Sequence, residues 1–175
     1  QFGAILRNFA QFCAPAHRRP TRRRPAALSR AGHGQDINVL SWNGSVNYLV
    51  ASGADDGSFR IWDLRHLSAG APVAHFHWHK QAITSIEWAP HESSSLAVAG
   101  ADNQVTYWDL ALEDDDEAKR AHEGRDDLQE IPPQLYFVHQ GQSDIKEVHW
   151  HPQLPGVVGS TALDSFHMMK PANTG

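Results

Sequence analysis

The feature that most constrains this chain is a repeat. Forty-six residues separate Trp42 from Trp88, and the same spacing separates Trp62 from Trp108 and His33 from His79. One copy runs from Gly32-His33 through Asp36 to Trp42 and on to LVASGADDGSFRIWD (49–63). The next starts at His79 and contains ITSIEW (83–88) and LAVAGADNQVTYWD (96–109). A third starts at His139, 60 residues after His79, with DIKEVHW (144–150) and GVVGSTALDSFHMMK (156–170). A fixed period of this length means one supersecondary unit, stacked so that each copy buries its apolar faces against its neighbours.

Within each copy, apolar and polar residues alternate, as in Ile37–Val39, Phe59–Ile61, Ile83–Ile86 and Val105–Tyr107. Period two argues for strands. Asp56-Gly57 and Asp102-Asn103 supply tight turns between them. The first copy predicts strands at 37–42, 48–52, 58–62 and 72–77, and the second ends on one at 135–139. Four strands per unit of about 45 residues describe a blade of a β-propeller. The expected fold is therefore all-β, a partial propeller of three blades. They span 32–78, 79–139 and 140–170, the last lacks its fourth strand, and a tail follows at 171–175. Rings typically hold roughly four to eight blades. Three should leave an open edge and two apolar faces, so the chain, which begins with Gln, reads as a C-terminal fragment with the rest of the ring missing.

The net charge of −5 conceals a division. Residues 1–31 carry seven Arg and no acid, with RRPTRRRP at 18–25. This segment reads as a disordered or non-native stretch, a basic nuclear-import or nucleic-acid tail, or an organelle transit peptide. After Trp108-Asp109 comes the reverse: nine acids and three bases between Glu113 and Glu130. Like-charge repulsion favours a solvated loop there. Pro132-Pro133 should then give an extended entry into the next strand. No stretch is apolar enough to span a membrane, and the single Cys13 forms no internal disulfide.

Little here points to catalysis. His75, His77 and His79 alternate, as do His149 and His151, but no cysteine joins them and no metal or other cofactor is expected. No nucleophile-elbow serine and no phosphate-cradling glycine loop occurs, so catalytic residues are expected to be absent and the chain not to be an enzyme.

These blocks resemble the WD-repeat β-propeller family. The order WD unit, acidic insertion, Pro132-Pro133-Gln134-Leu135-Tyr136-Phe137-Val138-His139-Gln140-Gly141, final unit is similar to the histone-binding WD proteins of the retinoblastoma-binding type. Within that group it looks most like a glutamate-rich WD-repeat branch acting in ribosome biogenesis. The resemblance implies a structural hydrogen-bonded network in each blade: His33, Asp56 and Trp62; His79, Asp102 and Trp108; His139 and Asp164. In the third copy Lys170 stands where Trp is expected. It further implies a nuclear and nucleolar chaperone for a basic client, a ribosomal protein or histone. Its candidate contacts are Glu113, Asp114, Asp115, Asp116, Glu117, Asp126, Asp127, Pro132 and Pro133. Acidic loops repel phosphates, so direct nucleic-acid binding by the propeller is not expected. The alternative is a generic scaffold or substrate adaptor, for instance of a ubiquitin ligase, using the top face of the propeller.

Overall fold

A computed structural model describes residues 33–67, 70–112 and 131–171. The acidic segment 113–130 and the basic N-terminal residues lie outside the described residues.

Eleven strands form three antiparallel sheets. The first orders β1 (Ile37–Trp42), β2 (Leu49–Ala54), β3 (Ser58–Asp63) and β4 (Ala74–His77) in sequence. The second does the same with β5 (Ile83–Trp88), β6 (Ser95–Gly100), β7 (Gln104–Asp109) and β8 (Leu135–Gln140). The third holds β9 (Glu147–Trp150), β10 (Val158–Thr161) and β11 (Phe166–Met169). The all-β partial propeller expected from the repeat is the fold observed, including a final sheet of three strands among the described residues.

The second strand of each complete sheet explains the packing. LVASGA in β2 and SLAVAG in β6 are buried at every position, because neighbouring sheets or strands cover both faces. Small residues let sheets approach closely. A Cβ on Gly53 would lie 2.6 Å from Ile83 Cγ2 across the junction. Gly57 adopts φ +77° in the turn before β3, a conformation glycine reaches without steric penalty.

Two apolar layers result. Leu49, Ala51, Phe59, Ile61 and Phe76 of the first sheet meet Ile83, Ile86, Trp88, Leu96 and Trp108 of the second. Ala97, Ala99, Val105 and Tyr107 of the second meet Ile145, Val148, Trp150 and Val158 of the third. In the first layer, the Phe59 and Phe76 rings each sit 4.9 Å from Trp108.

One indole bond recurs at both junctions. Trp88 Nε1 donates to the Ser41 carbonyl at 3.2 Å, and Trp150 Nε1 donates to the Glu87 carbonyl at 3.0 Å. In each case the acceptor is the residue just before the Trp of the preceding first strand. At the second junction the Glu87 carboxylate also accepts the Trp150 backbone N–H at 2.8 Å.

Candidate functional site

The second sheet carries the complete blade network. Buried His79 donates Nδ1–H to Asp102 Oδ1 at 2.9 Å. That leaves Nε2 to accept from the Thr106 hydroxyl, also at 2.9 Å, a tautomer assigned from these partners. Thr106 Oγ1 in turn accepts Trp108 Nε1–H at 2.8 Å. Burial opposes the Asp102 carboxylate, but donors from His79 and the backbone N–H groups of Lys80 and Gln104 outweigh it and hold its pKa below the usual value.

The first sheet reaches the same end by another route. His33 bonds Ser52 Oγ at 2.8 Å and Ser58 Oγ at 3.1 Å. Trp62 Nε1 donates to Ser52 at 2.8 Å, and Ser58 donates to Asp56 Oδ1 at 2.6 Å. Two serines therefore stand between His33 and both Trp62 and Asp56. Burial, then the nearby Arg60 charge, lowers the His33 pKa.

The third sheet corrects the sequence reading. His139 lies on β8, paired with Val105, and its Nε2 meets His167 Nδ1 at 3.1 Å. It belongs to no network with Asp164, which is exposed and accepts only long 3.3 Å bonds from the Ser143 N–H and the Ser165 hydroxyl. The buried Gln142 takes the histidine's place, accepting from Ser160 Oγ, and Ser160 matches Ser52 in register. The tryptophan position is also one residue off. Met169 pairs with Val158 as Trp62 pairs with Val50 and Trp108 with Leu96, so Met169, not Lys170, replaces Trp. The loops before β9 and β11 are each one residue shorter than their counterparts, which defeats a fixed spacing.

The His139–His167 pair joins the outer strand of one sheet to the next. Burial, then the His167 charge, lowers the His139 pKa. A histidine with a lowered native pKa contributes stability present above its unfolded value of 6.5 and lost as pH falls through the lower native value. The chain should therefore lose a few degrees of melting temperature between neutral and mildly acid pH. His167→Gln should lose less over that interval, with His33 and His75, lowered in the same direction, supplying the remainder. Thermal melts across that range check this; identical slopes would count against the pair.

Strand direction separates the two kinds of predicted site residue. The turns bearing Asp56 and Asp102 lie between second and third strands. The insertion leaves between β7 and β8, and in an antiparallel sheet this is the opposite end. It shares that end with the 43–48, 89–94 and 151–157 connections. Glu113, Asp114, Asp115, Asp116, Glu117, Asp126 and Asp127 lie outside the described residues, but the stem that holds them is well defined.

Gln134, unremarked in the sequence, closes that stem. Its carbonyl accepts the Asp109 N–H at 2.8 Å, and its side-chain Nε2 donates to the Leu112 carbonyl at 3.1 Å. Pro132-Pro133 make a turn, not the expected extended entry: Leu135 N–H reaches the Pro132 carbonyl at 2.9 Å. Pro133 sits second in that turn, where its fixed φ suits the geometry. Leu112 and Ile131, one on each side of the insertion, are exposed. The local field is negative: burial, then Glu92 and Asp109, push the Tyr136 phenol up to about 12. Nearby, Arg65 is held by Asp63 at 2.7 Å and lies over the Tyr48 ring.

Three repeated sheets, blade networks and indole-linked junctions define a WD-repeat propeller protein, and the chain belongs to that family. The family model described as "WD domain, G-beta repeat" matches residues 27–63 and 70–109. It matches no part of the third sheet, where Gln142 and Met169 replace the histidine and tryptophan. The chain is 52% identical over 193 residues to Protein HEAT STRESS TOLERANT DWD 1 of Arabidopsis thaliana, covering 82% of this chain and 41% of that one. It is 49% identical over 190 residues to Ribosome assembly protein rrb1 of Schizosaccharomyces pombe, covering 79% and 39%. The chain thus spans about two fifths of the length of these relatives. A chain in the crystal structure of the mitotic checkpoint complex shares the fold at TM-score 0.62 and 21% identity, over 82% of this chain and 38% of that one.

Proposed function

We propose that this chain is a protein-binding scaffold, not an enzyme, which holds a basic client through the 113–130 insertion during ribosome assembly in the nucleus, with the nucleolus as its site of action. The observation that carries this reading is the stem. A loop with nine acids in 18 residues emerges from a root pinned by Gln134, beside the acidic Glu92 and Asp109 and flanked by exposed Leu112 and Ile131. Such a site offers a basic, partly apolar segment both charge attraction and apolar contact. The client class is a ribosomal protein or a histone. The similarity to a protein named for ribosome assembly favours the first.

Capture of partners by the full chain and by a chain lacking 113–130, identified by mass spectrometry, tests this. Recovery of a basic ribosomal protein or histone that vanishes on deletion, and weakens steeply with added salt, is expected. An unchanged partner set would favour an adaptor working through the opposite end. A finer probe is Gln134→Ala. Leaving the Leu112 carbonyl without its donor should destabilise the chain by only about 1 kcal/mol, yet lower client affinity several-fold by loosening the stem. Unchanged affinity in a calorimetric titration would show that the stem does not position the loop.

A further inference from the structure

The two outward faces of the three-sheet array are the two halves of a junction already seen twice inside it. At the internal junctions, the strand-three positions facing forward are Phe59 and Ile61, then Val105 and Tyr107, all essentially inaccessible to solvent. The same register positions in the third sheet are Phe166 and Met168, exposed to 74% and 56%. On the backward-facing side, Ile86 and Trp88, then Val148 and Trp150, are buried. Their counterparts in the first sheet are Leu40 and Trp42, exposed to 57% and 64%. A shallow concavity of about 480 Å³ lies along that face, lined in part by Val39, Leu40, Ser52 and Trp62.

The polar pattern continues in the same way. Each internal Trp donates its indole N–H to the carbonyl preceding the Trp of the sheet before. Trp42 is the next donor in that series, and the His149 carbonyl, just before Trp150, is the next acceptor. One chain thus carries an unused donor face at its first sheet and an unused acceptor face at its last.

The geometry points to self-association of this 175-residue chain, head to tail, with the third sheet of one copy docked on the first sheet of another. Trp42 of each copy donates to the His149 carbonyl of its neighbour. A heterologous contact of this kind closes when the rotation between sheets completes a circle. Two copies of three sheets give six, within the range of propeller rings. The occupant of both faces is a second copy because the established junction needs one face of each kind, and this chain presents one of each.

Light scattering on the eluting chain tests this. The wild-type mass is expected to approach twice 19.4 kDa as concentration rises. Leu40→Glu and Phe166→Glu, each at an exposed position, should separately return the mass to that of one chain, with unchanged far-ultraviolet dichroism. Mixing the two variants should restore a two-chain species, because the intact last sheet of the first variant fits the intact first sheet of the second. A wild-type mass of one chain at all concentrations overturns the inference. So do a variant that remains dimeric, a mixture that stays monomeric, or a series of larger multiples.

Discussion

Trp108→Ala is expected to be the most damaging single substitution in the described structure. The indole is fully buried, with the Phe59 and Phe76 rings at 4.9 Å across the first junction and its N–H on Thr106 within the second sheet. Removal opens a cavity where two sheets meet and strands the Thr106 oxygen without its donor. Large-to-small aromatic changes in cores cost about 3–5 kcal/mol, against about 5–15 kcal/mol for the whole stability of a typical domain. Most of the chain should then be unfolded under conditions where the wild type is folded. Trp108→Phe separates the two contributions. It keeps much of the aromatic packing and loses the hydrogen bond and part of the volume, so its loss should be clearly smaller. Urea unfolding followed by near-ultraviolet dichroism reads both. If Trp108→Ala lost less than about 1 kcal/mol, the first junction would not be the principal core that its burial indicates.

The strands were legible because alternation and Asp-Gly or Asp-Asn turns are local properties. β1, β3, β5 and β7 follow them closely. β2 and β6 alternate poorly, since both faces are covered, and were found through the repeat instead. What spacing could not show was the third network. A one-residue deletion in a loop moves no strand face, yet it makes His139 and Lys170 look equivalent to residues whose places Gln142 and Met169 hold. Ser52 and Ser58 were missed for a related reason. They bridge His33 to Trp62 and Asp56 from positions that read as ordinary strand serines, whereas Thr106 does part of the same work from the neighbouring strand in the second sheet. Of the candidate binding site, the acidic composition was legible and the architecture was not. Gln134 acts through one side-chain amide and one carbonyl, which carry no sequence signature. That the insertion and the turn aspartates occupy opposite ends follows only once the strands are assembled.

Asp102 provides the second large effect and distinguishes a working blade network from a residue that merely shares its sequence position. Its carboxylate meets the fully buried His79 ring and the Lys80 backbone N–H. Asp102→Ala leaves the His79 Nδ1–H without an acceptor in a site too small for easy repair. Orphaning buried donors of this kind costs about 3 kcal/mol. Asp102→Asn keeps the shape but turns a donor toward one of these two N–H groups, so an intermediate loss is expected. If His79 is first replaced by Leu, removing the Asp102 carboxylate should matter far less. The coupling across that double-mutant cycle should then be about 1–3 kcal/mol. The pH dependence has a definite sign. The Asp102 pKa is lowered from 3.8, so its contribution is present above that value and disappears as pH falls through the lower native one. Asp102→Ala should flatten that acid limb as well as lowering stability at neutral pH. Asp164→Ala should do neither, because that carboxylate is exposed and bonded only at 3.3 Å. Equal losses at Asp102 and Asp164 in chemical denaturation would mean that the third sheet is held by a network like that of the second. The hydrogen bonds indicate the reverse: in the third sheet that place is taken by Gln142 and Ser160, and its closest histidine contact is the His139–His167 pair.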